Sequence, residues 1–311
     1  MKKLFVFPPL FFGLLSLAQS THDIYKEQSI MHDSDDTKND GRITVKKITM
    51  KTGVDLEYAE QGNMKGMPVI FLHGITDSWH SFETTFPHLP ETIHAFALSQ
   101  RGHGNSERPA DAYKPKHFAA DVAAFIEQKH LGPAVIVGHS MGGGVAQQFV
   151  LDYPQFTKAL VIVCSDPAIG KNPGMPEFYR EVMKMEGAPN KELMVEFQKG
   201  TLSKPIDSIY FNTLVDESLK VPTSVFKAAF KGLVDVDYTN QLKMVKQPAL
   251  IFWGDKDAFF LREGQERLTK NLRNAKWVVY KGVGHALHWE EPQRFANDLT
   301  EFIETSFVNP E

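Results

Sequence analysis

The stretch Ala134-Val135-Ile136-Val137-Gly138-His139-Ser140-Met141-Gly142 decides the fold. Its apolar first half has the composition of a buried strand, and helical spacing begins at Met141. Between them lies a Gly-x-Ser-x-Gly pentapeptide, which is typical of a sharp strand-to-helix turn that exposes the serine hydroxyl. Glycines at 138 and 142 permit the close backbone approach that such a turn needs. The pattern predicts Ser140 as a nucleophile; the alternative is a glycine-rich turn with an idle serine.

Strands and helices alternate on both sides of this turn. After two predicted strands within residues 43–60, apolar strands and helical segments alternate to residue 164 and again from 248 to 307. This order predicts an α/β fold with a mostly parallel sheet flanked by helices. The alternation lapses in between, where Met, Phe and Tyr recur at helical spacing. We therefore predict a core of residues 41–166 and 244–311, and an inserted helical cap of residues 167–243 over the carboxyl ends of the strands.

A serine nucleophile needs a base and an acid that orients the base. In this type of sheet the acid and then the histidine follow the serine along the chain. Asp257 follows the predicted strand 250–253, and His285 follows the strand 277–280. Both lie on post-strand loops that can converge on Ser140. The sequence therefore predicts Ser140, Asp257 and His285 as a catalytic triad.

Other residues compete for the acid and base roles. Asp255 directly follows Gly254 and is better placed to shape the turn. Asp166 follows the strand after the nucleophile helix, where we expect it to begin the cap. Among the histidines, His139 is expected to pack into the core, His103 to be structural, and His288 to lie no nearer than the pocket mouth.

An oxyanion hole requires two N–H donors aimed at the developing negative charge. Met141 supplies one, because its N–H begins the helix after Ser140. The second is expected from the loop after the strand 68–72, where Ile75 follows His73-Gly74. The alternative interpretation of His73-Gly74 is an ordinary turn at the end of a strand.

Taken together, these motifs resemble the α/β-hydrolase superfamily. The matching segments are His73-Gly74, Arg101-Gly102-His103-Gly104-x-Ser106, Gly138-His139-Ser140-Met141-Gly142-Gly143, Gly254-x-x-Asp257, and Gly284-His285 followed by Glu291-Pro292. The resemblance spans about residues 68–292 and implies the same triad and the same oxyanion donors. One departure is Ser99, where relatives often carry aspartate; we expect loss of a structural contact near the turn and no effect on the triad.

Family resemblance does not fix the reaction, but the nucleophile narrows it. Serine at 140 argues against the haloalkane dehalogenases and epoxide hydrolases of this fold, which use aspartate. It implies an acyl-enzyme, and so a carboxylic ester or lactone as substrate, with thioester or amide preference left open. The alternatives are a cofactor-free perhydrolase of the chloroperoxidase type or a carbon–carbon bond hydrolase. A small-molecule receptor is a non-enzymatic alternative, which the filled triad positions disfavour.

Aromatic residues near the motifs suggest a moderately apolar substrate pocket. The candidates for its lining are Trp79, Phe82, Phe178, Tyr179, Phe211, Phe259 and Trp289. Each of these side chains could equally be an ordinary packing residue.

Composition limits the partners. The 311 residues are 42% hydrophobic and 23% charged with a net charge of −4, which gives no support for nucleic-acid binding. The single cysteine, Cys164, allows no intramolecular disulfide, and the twelve histidines show no metal-binding spacing. We expect a small-molecule substrate, no metal and no cofactor, while the oligomeric state stays open.

The N-terminus has the pattern of a secretory signal peptide over residues 1–20. Lys2 and Lys3 precede an apolar run from Leu4 to Ala18, and small residues occupy the −3 and −1 positions before a cut after Ser20. The run is shorter than the roughly 20 residues of a membrane span. Polar residues 21–40 are then expected to form a flexible lead-in. The prediction is a bacterial exported protein, periplasmic or secreted, with no stable membrane span after cleavage.

N-terminal sequencing of the mature protein tests this export prediction. The expected first residue is Thr21, because cleavage after Ser20 removes the whole apolar run. Recovery of a chain that retains Met1 would contradict it. An Ala18→Leu variant places a large residue at the −3 position, so its precursor is expected to accumulate uncleaved.

Overall fold

A computed structural model describes residues 42–307. Eight strands form one sheet in the order β1-β2-β4-β3-β5-β6-β7-β8. The strands are β1 Thr44–Thr49, β2 Asp55–Gly62, β3 Met67–Leu72, β4 Ile93–Leu98, β5 Ala134–His139, β6 Thr157–Val163, β7 Ala249–Gly254 and β8 Ala275–Tyr280. β2 pairs antiparallel with β1 and β4, and every other neighbouring pair is parallel. The predicted α/β fold class is confirmed.

Nine α helices accompany the sheet in this part of the chain. They are α1 Pro115–Gln128, α2 Met141–Asp152, α3 Met175–Lys184, α4 Lys191–Gly200, α5 Ser208–Leu219, α6 Thr223–Val234, α7 Arg262–Asn271, α8 Leu287–Glu290 and α9 Pro292–Phe307. Strands β4 and β5 are buried along their whole length, as expected for parallel strands covered on both faces. Two apolar clusters result, one on each face of the sheet: Phe96 and Phe125 belong to the first, Phe71 and Phe252 to the second.

Helices α3 to α6 all lie between β6 and β7, and we call residues 167–243 the insert. Its apolar side chains join the first cluster, in which Phe226 and Phe230 are buried. Phe178 and Phe197 stack with ring centroids 6.1 Å apart. The helical periodicity of this stretch therefore reflects faces that pack on one another and on the core.

The carboxyl ends of the parallel strands carry the loops that hold the predicted site. β3 leads to His73-Gly74, β5 to Ser140, β7 to Asp257 and β8 to His285. Since β3, β5, β6, β7 and β8 are successive parallel neighbours, these loops emerge at one edge of the sheet.

Ser99 retains contacts at the turn after β4. Its Oγ donates a hydrogen bond to Glu57 Oε2 at 3.1 Å and accepts one from the Trp79 N–H at 3.2 Å. A Cβ on Gly104, where φ is +54°, would lie 2.6 Å from the same Oγ. A serine hydroxyl is both donor and acceptor and fits the narrow space beside Gly104, so this position keeps polar contacts at the turn. The expected loss of a contact relative to aspartate stays a prediction.

The predicted signal peptide and lead-in, residues 1–40, lie outside the described residues, so both stay predictions. Within residues 42–307, no helix has the length and apolar character needed to cross a membrane.

Candidate active site

Ser140 occupies a strained turn between β5 and α2. Its backbone has φ 53° and ψ −112°, in the region that favours glycine. A Cβ on Gly138 would lie 2.1 Å from the Gly142 oxygen, and a Cβ on Gly142 would lie 2.1 Å from the Leu72 oxygen. Both glycines are therefore required by backbone contacts. Ser140 itself retains 9% exposure and lines a cavity beneath the insert.

Asp257 and His285 form a buried hydrogen-bonded pair. Asp257 Oδ2 lies 3.0 Å from His285 Nδ1, and the two side chains are 0% and 6% exposed. Asp257 Oδ1 accepts the backbone N–H groups of Phe259 and Phe260, which fix the carboxylate. A carboxylate that accepts the Nδ1–H leaves Nε2 as the basic nitrogen of the imidazole.

His285 and Ser140 line the same cavity, although no hydrogen bond joins them in this structure. In proteins without bound substrate, a hydrogen bond between a nucleophile and its base is often long or poorly aligned. The cavity is small, with a volume of about 40 Å³. The arrangement fits a short substrate held close to both groups.

The two predicted oxyanion donors also face this cavity. Met141 is the first residue of α2, where an N–H has no acceptor within its own helix. Ile75 lies in the loop after β3, and no acceptor within residues 42–307 takes its N–H. The Gly142 N–H donates to the His73 oxygen at 3.1 Å and ties this loop to the Ser140 turn.

The rival histidines are buried in neighbouring structure. His139 Nε2 donates to the His285 backbone oxygen at 3.2 Å, while burial lowers the pKa of His139 well below its ordinary value. His103 is fully buried, and its Nδ1 lies 2.9 Å from the Arg101 oxygen. His288 does not line the cavity: it is fully buried, with Nε2 3.0 Å from Ser81 Oγ.

The rival aspartates hold turns. Asp255 Oδ1 accepts the Gly282 N–H at 2.6 Å and joins the loops after β7 and β8. Asp166 accepts the Ala168 N–H and pairs with Arg267 at 2.6 Å. Within residues 42–307 no hydrogen bond joins either of them to His285, whereas Asp257 Oδ2 lies 3.0 Å from His285 Nδ1, so geometry favours Asp257 as its partner.

Three of the seven predicted pocket residues line the cavity, namely Phe178, Phe259 and Trp289. The other four, Trp79, Phe82, Tyr179 and Phe211, do not. Phe82 packs between Phe71 and His288, and Trp79 stacks on His80 at 3.8 Å.

The remaining two of those four lie on the insert. Tyr179 packs near Phe230, with ring centroids 6.1 Å apart. Phe211 lies on α5, which reaches the core through the buried Tyr210 instead. Neighbours in sequence thus face different surroundings, because adjacent helical residues point about 100° apart.

Sequence reasoning missed a polar part of the cavity wall. Asp77 is 3% exposed, and Gln198 is fully buried. Gln198 Nε2 donates to Asp77 Oδ1 at 2.9 Å. Burial raises the pKa of Asp77 from 3.8 to about 7, with the Gln198 hydrogen bond and the charge of His285 opposing the rise. The acidic residue in His73-Gly74-Ile75-Thr76-Asp77 was the available signal.

One group among the described residues could present three metal ligands. Cys164, Asp257 and His285 bring ligand atoms within 4.8 Å of one another. Burial raises the pKa of the Cys164 thiol well above its ordinary value, so the thiolate that a metal prefers is disfavoured. The hydrogen bond between Asp257 and His285 already uses the other two ligand atoms.

Comparison with known proteins agrees with this geometry. The model of the alpha/beta hydrolase fold family matches residues 67–292. The chain belongs to the α/β-hydrolase family. The resemblance seen in the sequence is thereby confirmed.

Relatives of this α/β-hydrolase chain include a bifunctional esterase/perhydrolase of Acinetobacter calcoaceticus. It is 29% identical over 273 residues, which cover 82% of this chain and 98% of the relative. A non-heme chloroperoxidase of Streptomyces lividans is 26% identical, over 83% of this chain and 99% of its own. The structure of an esterase from Exiguobacterium antarcticum matches with a TM-score of 0.75 at 21% identity, covering 83% of this chain and 98% of that one. The last likeness shows the fold alone.

The strain at Ser140 predicts an unusual order of stability. Ser140→Gly is expected to have a free energy of unfolding about 1 kcal/mol above that of Ser140→Ala, because glycine adopts positive φ without strain. Urea unfolding of both variants measures the difference. At the exposed Ser224 in α6 the order is expected to reverse, with glycine less stable than alanine. A glycine variant at 140 that is less stable than the alanine variant would contradict the strain.

The pKa of Asp77 predicts a pH-dependent stability. Because the folded pKa of about 7 exceeds the ordinary 3.8, this carboxyl stabilises the fold below about pH 4. That contribution is lost as the pH rises towards 7. The Asp77→Asn variant is expected to gain stability over the wild type between pH 4 and 8. Urea midpoints of both proteins check this, and the exposed Asp216→Asn is the control. If Asp77→Asn and Asp216→Asn gained the same stability over the wild type as the pH rises, burial of Asp77 would be ruled out as the cause.

Proposed function

We propose that this chain is a serine hydrolase that cleaves a carboxylic ester or lactone through an acyl-enzyme on Ser140. One observation carries the proposal: the buried hydrogen bond between Asp257 and His285 places a basic imidazole in the same cavity as the strained Ser140. Family membership and the esterase names of its relatives support an ester-cleaving hydrolase.

In the proposed first step, Ser140 Oγ attacks the carbonyl carbon and His285 Nε2 takes the hydroxyl proton. The carbonyl oxygen becomes an oxyanion, which accepts hydrogen bonds from the N–H groups of Ile75 and Met141. Asp257 holds the imidazole orientation and stabilises the imidazolium. The oxyanion then collapses and the bond from the acyl carbon to the alkoxide oxygen breaks. His285 gives its proton to that oxygen, so an alcohol leaves and the acyl group remains on Ser140.

In the second step a water molecule replaces the alcohol. His285 removes its proton as the hydroxide adds to the acyl carbon, and the same N–H groups hold the new oxyanion. Collapse releases a carboxylic acid and restores Ser140 with the proton from His285. The strained turn supports both steps, because it keeps Oγ beside the start of α2.

A cofactor-free perhydrolase is the second candidate, favoured by the names of two relatives. In that reaction hydrogen peroxide, in place of water, attacks the acyl-Ser140 and leaves as a peracid. The same residues act in both reactions, so only the acceptor differs.

Ester hydrolysis by purified protein tests the proposal. The wild type is expected to hydrolyse p-nitrophenyl acetate, and Ser140→Ala to lose about 10³-fold or more in kcat, since the nucleophile is gone. A fluorophosphonate probe is expected to modify Ser140 in the intact protein, as located by mass spectrometry. Ser224→Ala, which changes an exposed serine in α6, is the matched control.

Equal rates for the wild type and Ser140→Ala would overturn the serine mechanism. Absence of labelling would favour a non-catalytic receptor. Addition of peroxide to the wild-type assay separates the two acceptors: peracid that oxidises bromide indicates the perhydrolase, and its absence indicates the hydrolase.

A further inference from the structure

Asp77 lies in the wall of the cavity that Ser140 lines, although the proposed ester cleavage gives it no role. Besides Asp77, the lining residues include Ser140 and His285, but no second carboxylate lines the cavity within residues 42–307. The side chain is almost wholly buried. A Cβ placed on Gly74 would lie 2.8 Å from Asp77 Oδ2, so this oxygen borders the loop that carries the Ile75 N–H.

Gln198 fixes the position of Asp77. Its Nε2 donates to Asp77 Oδ1 at 2.9 Å and to Ser218 Oγ at 2.8 Å. The Ser218 hydroxyl in turn donates to the Leu214 oxygen at 2.9 Å, so it must accept from Gln198. These bonds determine which end of the amide faces Asp77.

The other end of the amide has no partner. Gln198 Oε1 is buried and accepts no hydrogen bond from any described residue. Gln198 itself lines the cavity. A buried acceptor of this kind costs free energy unless a bound molecule supplies a donor.

Asp77 retains part of its acceptor capacity. A carboxylate offers about four acceptor positions, and the Gln198 side chain and the Gly74 backbone each provide one donor. No Lys, Arg or His forms an ion pair with Asp77 in the described part of the chain. The Asp77 carboxylate and Gln198 Oε1 can therefore each accept a hydrogen bond from an O–H or N–H group of a bound molecule.

Most of the other lining side chains are apolar. They include Phe178, Phe197, Phe230, Leu233, Phe259 and Phe260. An apolar wall and a wall of acceptors select a molecule that has a small hydrocarbon body and a hydrogen-bond donor on one side.

We propose that Asp77, positioned by Gln198, accepts a hydrogen bond from a hydroxyl or N–H group of the substrate. The proposal rests on ester cleavage at Ser140 and names the class of ester: a short acyl or alcohol group with a donor close to the scissile bond. Asp77 thus determines specificity, while the triad carries out the reaction. The alternative is that Asp77 only supports the loop of Ile75. Replacement of Asp77 would then affect the hydrolysis of all esters alike.

Pairs of esters that differ by a hydroxyl in place of a methyl group test the proposal. The pairs are methyl 3-hydroxybutyrate against methyl 3-methylbutyrate, methyl 2-hydroxybutyrate against methyl 2-methylbutyrate, and 2-hydroxyethyl acetate against propyl acetate. The wild type is expected to favour the hydroxyl member of at least one pair by about tenfold or more in kcat/KM, as acid release in a pH-stat measures. Asp77→Leu is expected to abolish or reverse that preference, because it removes the acceptor and keeps the volume.

Gln198→Leu is the second variant, in case Asp77→Leu does not fold. It leaves the carboxyl but removes the amide that holds it, so the preference is expected to shrink. Asp216→Leu, on the exposed side of α5, is the control and is expected to keep the wild-type ratio. A wild-type ratio near one for all three pairs would overturn the proposal. So would equal losses for both members of each pair in Asp77→Leu, which indicate a structural role.

Binding to Ser140→Ala separates this proposal from the serine mechanism. The thermal shift that 2-hydroxyethyl acetate causes is expected to exceed that of propyl acetate, and addition of Asp77→Leu is expected to remove the difference. Donor-dependent binding without any ester cleavage by the wild type would refute the mechanism and retain Asp77 as the recognising group. Equal shifts from the two esters would refute the recognition.

Discussion

The strained turn at Ser140 is the constraint on which the site depends. Positive φ at a serine costs free energy, and surrounding contacts must hold it. The Ser140 N–H donates to the Val163 oxygen, and its own oxygen accepts from the Gly143 N–H and Ser165 Oγ. These bonds connect β5 and α2 to the residues that follow β6. The same turn presses Gly142 against the Leu72 oxygen, so the start of α2 cannot move without the loop after β3.

That contact explains why the two candidate oxyanion donors lie together. Met141 begins α2, and the Ile75 loop begins where β3 ends, next to the Gly142 N–H. His285, bonded to Asp257, reaches the same cavity from the loops after β7 and β8, which lie two and three strands beyond β5 in the sheet. Parallel strands bring the Ser140 turn and the Asp257–His285 loops together, because their carboxyl ends lie at one edge of the sheet. The order of the strands in the sheet therefore determines which loops are neighbours.

The sequence predicted the α/β sheet well, because apolar runs and helical spacing are local signals. The triad stays a prediction, and the hydrogen bond between Asp257 and His285 is consistent with it. Ser140, Asp257 and His285 all stand at set distances after strands that their apolar runs disclose. The cavity wall followed no such rule. Phe82 and Phe178 are equivalent as sequence features, yet one packs beneath His288 and the other faces the cavity.

Tertiary packing of the insert decides such differences, and hydrophobic spacing cannot resolve them. Asp77 was overlooked for a related reason. An aspartate shortly after His-Gly has the composition of any polar loop. Its place in the cavity wall becomes apparent only in the folded chain, where Gln198, 121 residues later, bonds to it.

Several polar bonds tie the insert to the core. Gln198 forms a buried bond to Asp77, and the Ser203 N–H and hydroxyl form part-buried bonds to the Glu290 carboxylate. Glu290 also accepts the Gly284 N–H, directly before His285. Polar bonds of this kind require closer geometry than apolar packing, so the wall that contacts the substrate and the loop that carries the base keep one mutual placement. The segment of the insert from Gln198 to Ser203 thus contacts both Asp77 and the loop of His285. A substrate that binds beside Asp77 would therefore find the His285 loop already held in position.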